Sequence, residues 1–303
     1  MNYLRSSNLL AMYSSYLSGI IKDESLMLIP LDDHLIHRGH GVTSNLLVFN
    51  GHIYNLSANV SYLYQIAKSL KIQPPLTEHE TCQALKDLAS STQQPNLFLQ
   101  LFITAGVGNM TIIPIPNLST IYATAWSMDP SIFTNPISEF TSEYPITHKF
   151  QNQVQNSHYL VNILSREHSV SNGGTFGLIL NEHQNFVFGG FILPGFVSQK
   201  KLVLLKSEKN LPILEIIRSF GDKLIENGKL NGVELREIIN VNEVYRADEG
   251  FVIGQDFIIP LKSLDGNIIN NTGEDITNLL KEMLETDYLN TERSIKVDYS
   301  SYN

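Results

Sequence analysis

The chain has little cysteine, little clustered basic charge and no long apolar run, and each shortage excludes a class of protein. Its one cysteine, Cys82, cannot form an internal disulfide and fits a reducing compartment. We interpret Cys82 as a packed or partly exposed thiol rather than a nucleophile. The formal net charge of -9 comes without a cluster of lysines and arginines, so we expect no nucleic-acid partner.

The first residues are briefly apolar, but the polar run from Tyr13 to Tyr16 soon interrupts them. A membrane-spanning helix needs about 20 apolar residues, and a signal peptide needs an uninterrupted apolar core. We therefore expect neither element, no membrane partner and a cytoplasmic location.

The sequence also lacks a recognisable pattern of metal-binding residues. His148, His158 and His168 are evenly spaced, but their spacing matches no helix face and no common set of metal ligands. We predict that the chain has no metal site.

The overall composition is that of a soluble globular protein, with 43% hydrophobic and 17% charged residues over 303 positions. This length allows one large domain or two of ordinary size. Residues 128–143 are polar, contain Pro130 and Pro136, and show little periodicity. We predict an N-terminal α/β domain at 1–127, an interdomain linker at 128–143 and a C-terminal α/β domain at 144–303.

Local patterns predict alternating strands and helices. Asn50-Gly51 is a strong hairpin signal between two apolar runs, and Ser57 and Thr77 are residue types that cap helices. The predicted strands are 26–31, 45–49, 52–56, 97–105, 120–126, 175–180, 185–188 and 251–254. The predicted helices are Ser57 to Lys71, Thr77 to Ser90, 157–170 (stopped at Asn172-Gly173), Pro212 to Asn227, and 273–285.

Three segments, in the right order, resemble the class IV aminotransferases. They are residues 29–42 (IPLDDHLIHRGHGV), 154–164 (VQNSHYLVNIL) and 247–254 (ADEGFVIG). The family comprises fold-type-IV pyridoxal phosphate enzymes, including D-amino acid and branched-chain aminotransferases and aminodeoxychorismate lyase, and the first segment resembles the plant-type D-amino acid subgroup. The resemblance implies a two-domain α/β (α+β) architecture with a small N-terminal and a larger C-terminal α/β domain, and a homodimer.

The resemblance also implies four cofactor anchors, and this chain departs from the family at each. The lysine that binds pyridoxal phosphate falls at Gln155, whose amide nitrogen cannot condense with an aldehyde. The glutamate that keeps the pyridine nitrogen protonated falls at Gly189, and the phosphate-binding arginine falls at Tyr62. Glu215 stands in the turn whose N–H groups complete the phosphate cup, and its charge opposes a phosphate. We therefore predict no cofactor, with pyridoxal phosphate as the runner-up.

If pyridoxal phosphate were bound after all, another amine than residue 155 would have to react with its aldehyde. Lys149 lies six residues before Gln155. Six residues of strand span about 20 Å, so using Lys149 would require a large rearrangement. The alternative interpretation of Lys149 is a solvated surface lysine.

Arg38, His158 and Gln155 are the candidate catalytic residues in the pocket that such a fold retains. Arg38 falls where many family members have a pocket tyrosine, so its guanidinium could clamp a carboxylate. The alternative is a structural arginine that ties down the Asp32-Asp33 turn. His158 lies about one helical turn after Gln155 and could serve as a general acid or base, or it could be structural.

Other residues near these motifs receive structural interpretations. His37 and His40 lie in the glycine-rich turn, where we expect hydrogen bonds to the backbone. Residues 191–195 (FILPG) replace a polar family loop with an apolar one, which suits an apolar ligand or a filled pocket. Thr43-Ser44 replaces an aromatic–acidic pair and changes the pocket wall.

Three hypotheses for function follow. The first is a cofactor-independent repurposed enzyme or ligand-binding protein that acts on a small carboxylate-bearing or apolar metabolite. The second is a non-catalytic dimeric scaffold. The third is a pyridoxal phosphate-dependent D-amino acid aminotransferase or aminodeoxychorismate lyase with displaced anchors.

Overall fold

The computed structural model describes residues 8–108, 110–133, 135–145, 159–187, 192–206, 211–269, 275–290 and 292–302. These residues form two compact units. The first is drawn from Met1–Pro130 and Tyr288–Asn303, and the second from Ser131–Val154 and His158–Asp287.

The described secondary structure is mixed α/β. The strands are β1 Leu9–Ser14, β2 Gly19–Ile21, β3 Gly41–Phe49, β4 His52–Tyr54, β5 Leu97–Thr104, β6 Thr120–Ser127, β7 Ile137–Glu139, β8 Ile179–Leu180, β9 Phe186–Val187, β10 Leu193–Ser198, β11 Lys201–Leu205, β12 Gly232–Arg236, β13 Glu249–Ile253, β14 Ile258–Leu264, β15 Asn267–Ile268 and β16 Ser294–Lys296. The α-helices are α1 His34–Arg38, α2 Leu56–Ser69, α3 Glu78–Thr92, α4 Leu160–Ser171, α5 Pro212–Glu226, α6 Val241–Tyr245 and α7 Ile276–Asp287. Short 3-10 helices lie at Glu24–Leu26, Pro130–Phe133 and Tyr299–Tyr302. None of the described helices is long and apolar enough to cross a lipid bilayer.

The first unit is built on a seven-stranded antiparallel sheet with the order β16-β4-β3-β5-β6-β1-β2. Helix α2 packs on β3, and α3 packs on β1 and β6. The inward side chains of β5 alternate with outward ones, as the period of two along a strand requires. This sheet holds the turn that carries α1, because β3 begins three residues after α1 ends.

Local signals predicted most of this unit. The hairpin at Asn50-Gly51 is confirmed: both residues have positive φ (48° and 75°), and Phe49 pairs with His52. Thr77 opens α3, as predicted, and the structure adds a reciprocal capping box with Glu80.

Two predictions in the first unit are wrong. Helix α2 begins directly after Asn55 rather than at Ser57, and Asn55, in a left-handed conformation, makes no side-chain capping bond. The strand at 26–31 does not form. Its first residue closes a 3-10 helix, Leu26, Leu28 and Leu31 remain exposed, and Met27 packs in a core cluster although the segment pairs with none of the described strands.

The second unit contains a sheet with the order β12-β11-β10-β13-β14-β15, and β7 also pairs with β14. The β11–β12 and β14–β7 pairs are parallel, and the other pairs are antiparallel. Helix α5 begins with Pro212 at its first turn, as predicted, and packs on β12. Helix α7 packs on β13 and β14.

Helix α4 ends at Asn172-Gly173 as predicted, and the predicted hairpin forms between β8 and β9 with shorter strands. We predicted an apolar loop at 191–195, and this prediction is wrong for the residues of that segment that the structure describes, 192–195. Leu193, Pro194 and Gly195 lie in β10, which is paired on both sides. A proline has no N–H to donate and is tolerated at edge positions of a sheet. Pro194 is at such a position, because it lies opposite Val252 of β13 while the pairing of β10 with β11 begins only at Gly195.

The predicted domain boundaries stay a prediction. Two strands of the structure, however, do not follow the predicted division of the chain. Strand β7 forms inside the predicted linker at 128–143. Strand β16 pairs with β4, so residues 288–302 pack with the first unit rather than the second.

Candidate functional site

The turn around α1 gathers the polar residues of the first sequence motif. Asp33 caps the helix by accepting a hydrogen bond from the Leu35 N–H at 2.8 Å. Gly39 closes the helix with a φ of 59°, a left-handed conformation that glycine adopts without strain. These two caps limit α1 to five residues, of which Arg38 is the last.

Asp33 is a fully buried carboxylate that accepts hydrogen bonds on both of its oxygens. Besides Leu35, it accepts hydrogen bonds from the Thr104 hydroxyl at 3.0 Å and the Tyr122 hydroxyl at 3.1 Å. Burial, followed by the charge of Asp33, raises the pKa of Tyr122, which therefore stays a hydrogen-bond donor at neutral pH. This network ties the α1 turn to β5 and β6.

Arg38 is exposed and bonds to the backbone. Its Nη1 donates to the carbonyl of His37 at 2.8 Å, and its Nη2 donates to the carbonyl of Met110 at 2.8 Å. Neither bond goes to the Asp32-Asp33 turn, which a structural Arg38 was expected to hold in place. An arginine carries five N–H groups, so the two backbone bonds leave donors that a carboxylate could use.

His34, His37 and His40 form a cluster on the same turn. The ring of His34 lies 4.8 Å from that of His37 and 6.1 Å from that of His40, centroid to centroid. The hydrogen bonds to the backbone that we predicted for His37 and His40 are confirmed. His37 Nε2 lies 3.3 Å from the carbonyl oxygen of Asp32, and His40 Nε2 lies 3.0 Å from that of Leu70. His34 is 1% exposed, and its two ring nitrogens have no hydrogen-bond partner among the described residues.

The family's cofactor positions are only partly described. Tyr62 is buried on α2, and Glu215 lies half-exposed in the first turn of α5, 3.9 Å from Arg218. Gln155, His158, Gly189 and Lys149 lie outside the described residues, so their predicted roles stay predictions.

Pyridoxal phosphate requires a buried amine for its aldehyde and cations or backbone N–H groups for its phosphate. In the part of the chain that the structure describes, no lysine or arginine is fully buried, and the Lys281 side chain, which is 15% exposed, lies 3.9 Å from Glu285. Glu215 brings a negative charge to the first turn of α5, the kind of helix end that favours a phosphate. Among the described residues, therefore, no lysine offers the fully buried amine that the aldehyde requires, and Lys149, Gln155 and Gly189 lie outside this part of the chain.

The second unit has its own buried acid, Glu139 at the end of β7. Its carboxylate accepts hydrogen bonds from the backbone N–H groups of Phe176 (2.9 Å) and Gly177 (2.8 Å) and from the Ser169 hydroxyl (3.0 Å). Burial raises the pKa of Glu139, and these donors oppose the shift. A side chain on Gly177 would clash with Ser165, so the chain approaches Glu139 closely at this point.

His34 and Glu139 were missed from the sequence. Only Asp33 had a local signal, because it precedes a short helix as a cap residue does. No described group of His, Cys, Asp and Glu could hold a metal ion, and His168 instead lies 3.5 Å from Glu143. Cys82 is half-buried on α3, where burial raises the pKa of its thiol and disfavours the reactive thiolate.

Comparison with known proteins identifies relatives along nearly the whole chain, although no family model matches it. The chain is 28% identical over 295 residues to the chloroplastic D-amino-acid transaminase of Arabidopsis thaliana, covering 95% of this chain and 79% of that protein. It is 27% identical over 292 residues to a putative branched-chain-amino-acid aminotransferase of Methanocaldococcus jannaschii, covering 93% and 98%.

Solved structures show the same likeness in three dimensions. The branched-chain amino acid aminotransferase of Thermobaculum terrenum in its PLP form superposes with a TM-score of 0.81 at 18% identity, covering 97% of this chain and all of that one (100%). At this identity the likeness establishes the arrangement of the chain and not its chemistry. The protein therefore has the fold of the fold-type-IV aminotransferases.

Proposed function

We propose that this chain is a class IV aminotransferase-like protein that works without pyridoxal phosphate and binds a small carboxylate-bearing or apolar metabolite in the pocket of the fold. The observation that carries the proposal is the placement of the described basic residues, none of which is fully buried. Gln155 at the place of the family's lysine supports it, as do Tyr62 and Glu215 at the places of the phosphate ligands.

Arg38 is the residue to which we assign carboxylate binding. Its side chain is exposed, and its guanidinium is held by two carbonyl oxygens rather than by an acidic side chain, so its charge is not neutralised by those bonds. A planar guanidinium held in this way can offer further N–H groups to a carboxylate. In this proposal His158 is the acid or base, and Gln155 is a hydrogen-bonding group in the lysine's place.

A thermal-stability screen with small carboxylates, amino acids and apolar acids tests the ligand class. A ligand that binds the native state alone must raise the melting temperature. We expect at least one carboxylate to raise it in wild type and to lose most of that effect in Arg38→Ala. The matched control is Arg166→Ala, which removes another exposed arginine. An unchanged response in both Arg38→Ala and His158→Ala would refute the site assignment.

The second candidate is a pyridoxal phosphate-dependent aminotransferase with Lys149 as the amine. The names of the two sequence relatives and the PLP form of the Thermobaculum terrenum enzyme favour it. Under this alternative, Lys149→Ala would abolish cofactor binding, whereas our proposal expects no effect on ligand stabilisation.

We also propose a cytoplasmic homodimer. The single cysteine fits a reducing compartment, and exposed apolar side chains at Leu31, Ile112 and Ile113 in the first unit supply a surface that a second copy could cover. Sedimentation velocity measures the assembly directly. A monomer at micromolar concentration would remove this part of the proposal.

A further inference from the structure

The cluster of His34, His37 and His40 has a feature that the proposed function does not use. A neutral imidazole carries one N–H donor and one acceptor nitrogen, and both nitrogens of the buried His34 lack partners among the described residues. Buried polar groups in native proteins are nearly always hydrogen-bonded. A native structure that keeps such a group without partners stores unfavourable free energy at that point.

The segment that carries the cluster is tied to the loop that joins β5 to β6. The His34 N–H donates to the Gly106 carbonyl at 2.9 Å, and the Ala105 N–H donates to the His40 carbonyl at 3.0 Å. The Gly108 N–H donates to the Asp32 carboxylate at 3.2 Å. With the bond from Arg38 to the Met110 carbonyl, four hydrogen bonds join residues 32–40 to residues 105–110.

The geometry points to an acid-sensitive latch: protonation of His34 expels its ring from the interior and breaks the hydrogen bonds between residues 32–40 and the β5–β6 loop. The His34 backbone N–H makes one of these four hydrogen bonds, so a displacement of the α1 turn that brings the ring to water also loosens the contact with the loop. The inference concerns the first unit alone and does not depend on which ligand the protein binds.

The surroundings of His34 disfavour its charged form. Burial lowers its pKa most, and His37, His40 and Arg38 lower it further, while Asp33 opposes them. Asp33 cannot turn to the imidazolium without losing a partner, because its oxygens already accept from Leu35, Thr104 and Tyr122. The described residues of the β5–β6 loop bring no charged side chain to this face.

The sign of the pH effect follows from this direction. In the unfolded chain His34 takes up a proton near the ordinary value of about 6.5, whereas in the folded chain it does so only at lower pH. Between the two values the unfolded state binds more protons, so stability falls as the pH falls through that window. The full contribution is retained above about pH 6.5.

Hydrogen exchange measured by mass spectrometry tests the latch at about pH 7.5 and about pH 5. After correction for intrinsic exchange, we expect peptides covering the β5–β6 loop to lose protection at the lower pH in wild type, while peptides from α3 keep it. In His34→Leu, which has a similar volume and no titrating group, loop protection should be the same at both pH values. The control His79→Leu removes an exposed histidine and should behave as wild type.

Urea unfolding followed by the fluorescence of Trp126 gives a second measurement. The equilibrium constant of unfolding should rise by up to about tenfold per pH unit below about pH 6.5 in wild type relative to His34→Leu. His34→Gln serves the same purpose should the leucine variant fail to fold. The inference is overturned if loop protection is independent of pH, or if it falls equally in the His34 variants. Stabilisation by zinc ions that requires His34 would also overturn it, in favour of a metal site.

Discussion

His34 in the first unit and Glu139 in the second are both buried titratable side chains, 1% and 0% exposed, yet they stand in opposite surroundings. Glu139 accepts hydrogen bonds from two backbone N–H groups and a hydroxyl, whereas both nitrogens of His34 are unpaired among the described residues. Burial raises the pKa of the acid and lowers that of the base. The comparison predicts that the loss of a buried polar side chain costs stability where that side chain has hydrogen-bond partners, as Glu139 does, and not where it lacks them.

The same difference in hydrogen-bond partners distinguishes side chains that hold the backbone in place from side chains that are free to bind something else. Glu139 and Asp33 hold backbone segments in place, and each has its donors. His34 and Arg38 lie on one short helix, and each of these side chains retains hydrogen-bonding capacity. Functional sites are where folds keep unsatisfied or reusable polar groups, so the α1 turn is the first place to search for chemistry.

Replacing Glu139 with leucine should give the largest loss of stability. The change leaves two backbone N–H groups and the Ser169 hydroxyl buried without an acceptor, each costing about 1–3 kcal/mol. We expect the free energy of unfolding to fall by about 3 kcal/mol or more, measured by urea denaturation. Glu237→Leu is the matched control, because its side chain is 82% exposed and its loss should be nearly neutral. If Glu139→Leu lowered the free energy of unfolding no more than Glu237→Leu does, Glu139 would not anchor the backbone around Phe176 and Gly177.

Asp33→Ala should give the next largest loss. It removes the helix cap and the acceptor for Thr104 and Tyr122, and a cap alone is worth about 1 kcal/mol. We expect a loss of about 2 kcal/mol in total. Asp23→Ala is a suitable control, because Asp23 caps an exposed 3-10 helix by accepting hydrogen bonds from the exposed N–H and hydroxyl of Ser25. Equal losses in both variants would show that capping, and not the buried network, is the main contribution.

His34→Leu should have the opposite sign to Glu139→Leu, and a smaller size. The substitution keeps the volume and removes a buried donor and acceptor that lack partners, so we expect a gain of about 1 kcal/mol at neutral pH. Thermal unfolding at two or more pH values measures it, and the gain should increase as the pH falls. A loss of stability would show that His34 has a partner that compensates for its burial.

Arg38→Ala should change stability least. Its two bonds go to exposed carbonyls, and hydrogen bonds of this kind contribute about 0.5–1.5 kcal/mol before exposure to water is considered. We expect a change below about 1 kcal/mol, so that any loss of ligand response in this variant reports on binding. Unfolding of the variant at room temperature would instead make Arg38 a structural residue.

Much of the fold could be predicted because its signals are local. The hairpin at Asn50-Gly51, the cap at Thr77 and the start of α5 at Pro212 each depend on a few neighbouring residues. The elements that were missed depend on distant partners. Strand β10 contains Pro194 and is recognised only by its pairing with β11 and β13, and β16 forms because β4 offers it an edge.

The candidate site divides in the same way. The motif around Arg38 was visible in the sequence, and the backbone bonds of His37 and His40 could be expected from their glycine-rich turn. The burial of His34 and the arrangement around Glu139 arise from segments far apart in sequence, such as β7 and the residues that follow α4. Composition and periodicity do not carry that information.

The central claim is that the protein works without pyridoxal phosphate. The most direct measurement mixes the purified native protein with pyridoxal phosphate, reduces it with borohydride, and maps modified lysines by peptide mass spectrometry. We predict no visible band from a protein-bound cofactor, and only the scattered, unsaturable labelling of surface lysines that the denatured protein also shows. Saturable labelling of one lysine at one equivalent per chain, at Lys149 or elsewhere, would contradict the account.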